Sequence, residues 1–142
     1  MKDLIAIDPG VHEYGWAMFV DGLLSACGVA FTEDRWRPGP SDISWISEYP
    51  EQRGKLSPVK VQTLIDLALA AGRIVGSRPC EFYRPMQWKG NIDKKPHHNA
   101  MLAVLNASEA KRWEAGAKTC TKDTLLDLND AVCLGLWRLG RL

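Results

Sequence analysis

Leu4-Ile5-Ala6-Ile7-Asp8-Pro9-Gly10 is the stretch on which the reading of the fold turns. Four consecutive apolar residues closed by an acid and then Pro-Gly form the pattern of a buried strand that stops at a turn, which leaves Asp8 at the strand's C-terminal end. Working outward, Gly15 to Val20 and Leu23 to Phe31 are two further apolar runs, joined by Asp21-Gly22, a dipeptide suited to a tight hairpin turn. Strands one to three are therefore expected to be adjacent in sequence and in space. Residues 32 to 42, TEDRWRPGPSD, form a loop rich in proline, glycine and charge. Ile43 to Ser47 reads as a fourth strand delivering Glu48, with Pro50 preventing a simple continuation.

The second half of the chain is mainly helical. Ser57-Pro58 combines an N-cap residue with proline at the first helical position, and Val61, Leu64, Ile65, Ala68, Ala71 and Val75 follow at helical spacing until Gly76. That predicts one amphipathic helix with this stripe toward the core. Cys80 to Tyr83 is a fifth short strand before Pro85. Lys95-Pro96 opens a helix through His97 to about Asn106, with a possible resumption after Ser108. A last helix runs from Lys122 to about Leu139. No repeat or low-complexity segment interrupts the chain.

With 142 residues, 46% hydrophobic and 25% charged, the composition fits one globular domain over residues 1–142. No apolar run approaches the roughly 18 to 20 residues that span a membrane, and the N-terminus lacks the layout of a signal peptide, so a cytoplasmic location and no membrane partner are expected. Cys27, Cys80, Cys120 and Cys133 lie far apart, without a C-x-x-C pair or a histidine at ligand spacing. They read as reduced, mostly buried thiols. Charge is unevenly spread: residues 1–52 hold 3 Lys+Arg against 9 Asp+Glu, whereas residues 53–142 hold 15 against 8. An acidic half suits cations and a basic half suits phosphates, although solvated faces give the same pattern.

Four acids stand out by position. Asp8 and Glu48 end strands, and Asp127 and Asp130 lie in the opening turns of the last helix, three residues apart and so on one face. Each has a plain structural explanation when taken singly: a turn residue, a strand terminator, acids favoured by a helix N-terminus. Together, meeting at one edge of a sheet, they would concentrate like charges that need a cation. A donor set of oxygens alone points to a hard ion such as Mg²⁺ or Mn²⁺.

Three of these segments resemble one family. Ile5-Ala6-Ile7-Asp8-Pro9-Gly10 followed by Tyr14-Gly15-Trp16-Ala17 is similar to the opening signature of the RuvC-type Holliday junction resolvases; Ile46-Ser47-Glu48 resembles their second acidic strand end; Asp127-Leu128-Asn129-Asp130-Ala131 matches their terminal D-x-x-D-A helix. The pieces occur in the family's order over nearly the whole chain. Pro85-Met86-Gln87-Trp88-Lys89-Gly90 with Lys94 and Lys95 is similar to a lysine-bearing segment that such enzymes place beside DNA. The resemblance implies an α/β, ribonuclease-H-like fold: a five-stranded mixed sheet, three antiparallel strands then two parallel ones, with helices on both faces. The chain is short, like phage-type members, and residues 91–95 and 108–121 depart from the family pattern.

The resemblance also implies a chemistry. Cutting a phosphodiester needs in-line attack by water and stabilised charge on both the attacking and the leaving oxygen, which two metal ions about 3.5 to 4 Å apart supply. Two Mg²⁺, with Mn²⁺ able to substitute, would be held by Asp8 as the shared acid, by Glu48 and Asp127 on one ion each, and by Asp130 completing the site. Arg84, Lys89, Lys94 and Lys95 are candidate DNA contacts, and Tyr49 is a candidate for stacking on an unpaired base or for packing under the loop around residue 50. His97 and His98 read as surface residues at a helix start rather than as participants in the leaving-group step. Trp16, Trp45 and Trp137 read as core, with Trp88 left open. The expected substrate is a four-way junction, cut in two opposed strands by a homodimer paired through the helix from Pro58 to Val75, where Val59, Leu67, Leu69 and Ile74 lie outside the main stripe. A ribonuclease H acting on RNA–DNA hybrids and a branched-DNA binding module that does not cut are the competing readings. An actin-like ATPase is excluded, since its duplicated fold exceeds 142 residues.

Overall fold

The computed structural model describes residues 3–51 and 54–142. Along the chain run β1 (Leu4–Asp8), β2 (Glu13–Val20), β3 (Leu23–Phe31), β4 (Ser44–Glu48), α1 (Pro58–Val75), β5 (Cys80–Tyr83), α2 (Pro85–Trp88), α3 (Lys94–Val104), α4 (Ala107–Ala117) and α5 (Lys122–Arg138). The strands form one mixed sheet in the order β3-β2-β1-β4-β5. β1 pairs antiparallel with β2 and β2 with β3, whereas β1–β4 and β4–β5 are parallel. The β2–β3 turn is made by Asp21 and Gly22 with φ of 51° and 77°, the double positive φ of a tight hairpin matching strand twist.

Strand alternation divides the interior in two. Leu4 and Ala6 of β1, Ala17 and Phe19 of β2 and Ile46 of β4 face α5, whose Leu128, Ala131, Val132 and Leu136 are fully buried with Met101 of α3. Ile5 and Ile7, Tyr14 and Trp45 face the opposite way, onto Ile74 of α1. Both faces of β1 are therefore covered, as a central strand in a sheet with helices on each side requires. Nine consecutive residues of α5, Leu128 to Leu136, are buried.

Other parts of the sequence reading need correction. The stripe on α1 was expected to pack along the helix, yet only Ala70, Ala71, Ile74 and Val75 are buried, while Val61 and Ile65 are exposed. The helix docks by its last turns and overhangs the sheet with the rest. Ile74, read as an outward apolar position, is instead fully buried. Pro85 to Trp88, read as a loop motif, is a one-turn helix. α3 starts at Lys94 with Asp93 as N-cap, and α4 is a separate helix capped by Asn106 and Glu109 in a reciprocal box. Among the described residues no helix is long and apolar enough to cross a membrane.

Candidate active site

Sheet topology brings the acids to one edge. β1 and β4 are parallel neighbours, so Asp8 and Glu48 emerge side by side at the C-terminal end of the pair, the usual place for a site in an open α/β sheet. α5 crosses β2 so closely that a Cβ on Gly15 would lie 2.1 Å from the backbone oxygen of Asp127 and 2.8 Å from the nitrogen of Leu128. Gly15 pairs with Asp8 across the β1–β2 ladder. The close approach therefore sets the Asp127 turn of α5 over the end of β1. At the other end of the crossing Gly135 of α5 meets the ring of Phe19 in the same way.

Asp127 and Asp130 lie in the second and third turns of α5, not at its start, so the macrodipole, which acts within the first turn, does not account for them. Burial pushes the Asp8 carboxyl well above the usual carboxylate range, and the charges of Glu48, Asp130 and Asp127 push it further. Glu48 is raised by burial against the pull of the Lys89 ammonium, and Asp127 is raised by burial against the pull of Lys94. Asp130 behaves differently. Burial raises it, but His98, Lys89 and Lys94 outweigh burial and hold it below the usual range. The four carboxyls are thus near enough to shift one another's protonation, a pattern common at functional sites.

The basic groups are arranged around Asp130. His98 Nε2 lies 2.8 Å from Asp130 Oδ1, while Lys94 Nζ is 3.2 Å and Lys89 Nζ 3.8 Å from Oδ2. Lys89 also reaches Glu48 Oε2 at 3.1 Å. Its ammonium sits 4.7 Å from the centroid of the buried Trp88 ring, which in turn packs on His97. The surface reading of His97 and His98 is thus overturned: both are buried, and burial holds the His97 imidazole below its ordinary range. The missed signal was periodicity. Lys94 and His98 are four residues apart on α3 and Met101 three further on, so the three share the face turned to α5.

The remaining candidates stand farther out. Tyr49 is half exposed, its ring edge-on to Phe82 with centroids 6.4 Å apart, and it lines an apolar groove with Pro50, Leu64, Ala68 and Phe82. Arg84 is an exposed side chain paired with Glu51 at 2.5 Å. Lys95 is exposed beside the site. Trp45 belongs to the core, while Trp16 and Trp137 are partly buried against it.

Among the described residues no three carboxylate, imidazole or thiol groups stand close enough together to ligate one ion. The donor chemistry nevertheless fits a hard cation. Glu48 Oε2 is buried and has only the Lys89 ammonium, 3.1 Å away, beside it among the described residues, so the acids form an all-oxygen donor set short of protein partners. Buried carboxylates carrying like charge are costly unless cations neutralise them, and oxygen donors alone suit a hard ion.

No protein-family model matches the sequence, and no curated protein matches it. Among solved structures the chain is similar to RuvC of Thermus thermophilus in complex with a Holliday junction substrate, with 18% identity, 99% of this chain and 97% of that one covered, and a TM-score of 0.57. A second structure of Thermus thermophilus RuvC aligns at 19% identity over 98% and 97% of the two chains, with a TM-score of 0.49. Strand order and the antiparallel–parallel pattern of the sheet are consistent with the first of these over almost the full length, and the protein has the fold of the RuvC resolvases.

Proposed function

We propose that this protein is a metal-dependent endonuclease that resolves Holliday junctions or related branched DNA. The observation that carries the reading is the convergence of Asp8, Glu48, Asp127 and Asp130, from two parallel strand ends and one helix, at one edge of a RuvC-like sheet. The solved structure that aligns over the full length was determined with a Holliday junction bound, which supports the same substrate class here.

Mg²⁺ or Mn²⁺, as two ions, would be held by Asp8 between them, by Glu48 and Asp127 on either side, and by Asp130. When bound, such ions lower the pKa of an attacking water and stabilise charge on the leaving 3′-oxygen. The chain's own residues do the rest. Asp8 ends the central strand β1, paired on both sides, so it would fix the reaction centre relative to the sheet. His98 holds one oxygen of Asp130 and thereby aims the other at the centre. Lys94, Lys95 and Arg84 are exposed and would contact phosphates, and Tyr49, next to Glu48 in the chain, presents a half-exposed ring that would stack on an unpaired base.

A four-way junction has two symmetric strands to cut, and one chain holds one acidic cluster, so the reading includes a two-fold homodimer. The overhanging part of α1 supports it. Val59, Val61, Ile65 and Leu69 are exposed on a helix that buries only its last turns, next to the Tyr49–Phe82 groove. The test is a cruciform plasmid with Mg²⁺, alongside synthetic four-way junctions and RNA–DNA hybrids, with light scattering for stoichiometry. Paired nicking linearises the cruciform directly. A monomer that cuts hybrids faster than junctions refutes the proposal in favour of a ribonuclease H.

A further inference from the structure

Lys89 does not point at solvent. It caps α2, its side chain is 16% exposed, and its ammonium lies 3.1 Å from Glu48 Oε2 and 3.8 Å from Asp130 Oδ2, roofed by the Trp88 ring. Two of the four acids are thus bridged by a cation that belongs to the chain. We infer that Lys89 is the resident counter-ion of the acidic centre, that an incoming divalent cation has to displace it, and that it therefore sets the affinity of the site for metal. The inference rests on reading the four acids as a metal site.

The argument is one of exclusion. A hard divalent ion binds carboxylate oxygen at about 2.0 to 2.6 Å. An ammonium 3.1 Å from Glu48 Oε2 and near Asp130 Oδ2 occupies the same side of both oxygens, and two cations at that spacing repel strongly in a site this buried. Lys89 is the partner of Glu48 Oε2, and a metal taking that oxygen has to take over its role. Lys94 is different in degree. It forms an ion pair with Asp130, at 3.2 Å, and its side chain is half exposed, so it can swing into solvent.

Calcium binding to the intact protein, measured by titration calorimetry, tests this without cleavage. Lys89→Met is expected to bind Ca²⁺ about tenfold more tightly than the natural chain, equivalent to ~1.4 kcal/mol, whereas Lys89→Arg, which keeps the charge, gains nothing. In EDTA the Met variant melts lower, since Glu48 and Asp130 have lost their partner, and Ca²⁺ raises its melting temperature by more than it raises that of the natural chain. A Lys89→Met chain that folds only with Ca²⁺ supports the same conclusion, the ion standing in for the lysine. Unchanged or weaker Ca²⁺ binding by folded Lys89→Met overturns the inference and leaves the metal site standing. Failure of the natural chain to bind Ca²⁺, Mg²⁺ or Mn²⁺ at all overturns both this inference and the proposed function.

Discussion

Replacing Gly15 by alanine tests whether the α5–β2 crossing places the acids. The new Cβ would stand 2.1 Å from the Asp127 carbonyl oxygen, 2.3 Å from its carbon and 2.8 Å from the Leu128 nitrogen, against ordinary contact beginning near 3.4 Å. All three are backbone atoms in mid-helix, so no side chain can turn aside. α5 has to retreat by more than an ångström at the turn carrying Asp127. Overpacking of this kind costs about 1 to 3 kcal/mol of stability, and displacement of a reacting group by ~1 Å costs on the order of 100-fold in rate. The expected result is a folded protein, melting lower, that still binds a four-way junction and cleaves it about 100-fold more slowly in single-turnover assays at saturating enzyme. A variant that cleaves at the natural rate, with unchanged melting temperature, would show that Asp127 is not positioned by this contact or does not serve the reaction.

Asp8→Asn is expected to abolish junction cleavage while leaving junction binding intact, because it removes the central carboxylate and neither bulk nor the basic face; cleavage at a natural rate with Mg²⁺ refutes the assignment. In the double variant Lys94→Ala/Lys95→Ala the slope of log K against log salt for duplex binding should fall by about 0.9 per lost phosphate contact, and an unchanged slope removes these lysines from the interface. Two pH effects of opposite sign should appear in denaturant titrations of the metal-free protein. Burial pushes the Glu109 carboxyl up, but the Arg141 guanidinium and the amides of Asn106 and Leu24 outweigh it and hold it at about 2, against 4.5 for the free group. Its contribution is full above about pH 4.5 and is lost as pH falls toward 2, a slope that Glu109→Gln should remove. Asp8, raised well above 3.8, works the other way, so stability in EDTA should rise as pH is lowered from neutral toward its range, and Asp8→Asn should flatten that part of the curve.

What was legible in the sequence was whatever depends on neighbours along the chain. The apolar run ending at Asp8, the Asp21-Gly22 turn and the Ser57-Pro58 helix start each carry their own signal, and the strands they delimit stand where the pattern puts them. Two acids at strand ends and two on one helix face were readable for the same reason. Side-chain direction was less so. Lys89 sits in a segment that reads as a basic surface loop, and nothing local shows that a single helical turn from Pro85 to Trp88 rotates it onto Glu48. His97 and His98 follow two lysines and a proline, which gives the helix start a polar look, and only the docking of α3 on α5 buries them. α1 misled in the opposite sense. Its apolar stripe is real, but its length exceeds the part of the sheet available to cover it.

The chain order of the acids has a further meaning for a cell that makes such a protein. Two come from the first 48 residues and two from α5, which also carries nine consecutive buried residues, most of them in the larger core. A growing or clipped chain without residues 122–138 therefore loses half of the site together with the packing that would keep the sheet in solution. The acidic cluster and the larger core are therefore completed together, by the same C-terminal helix.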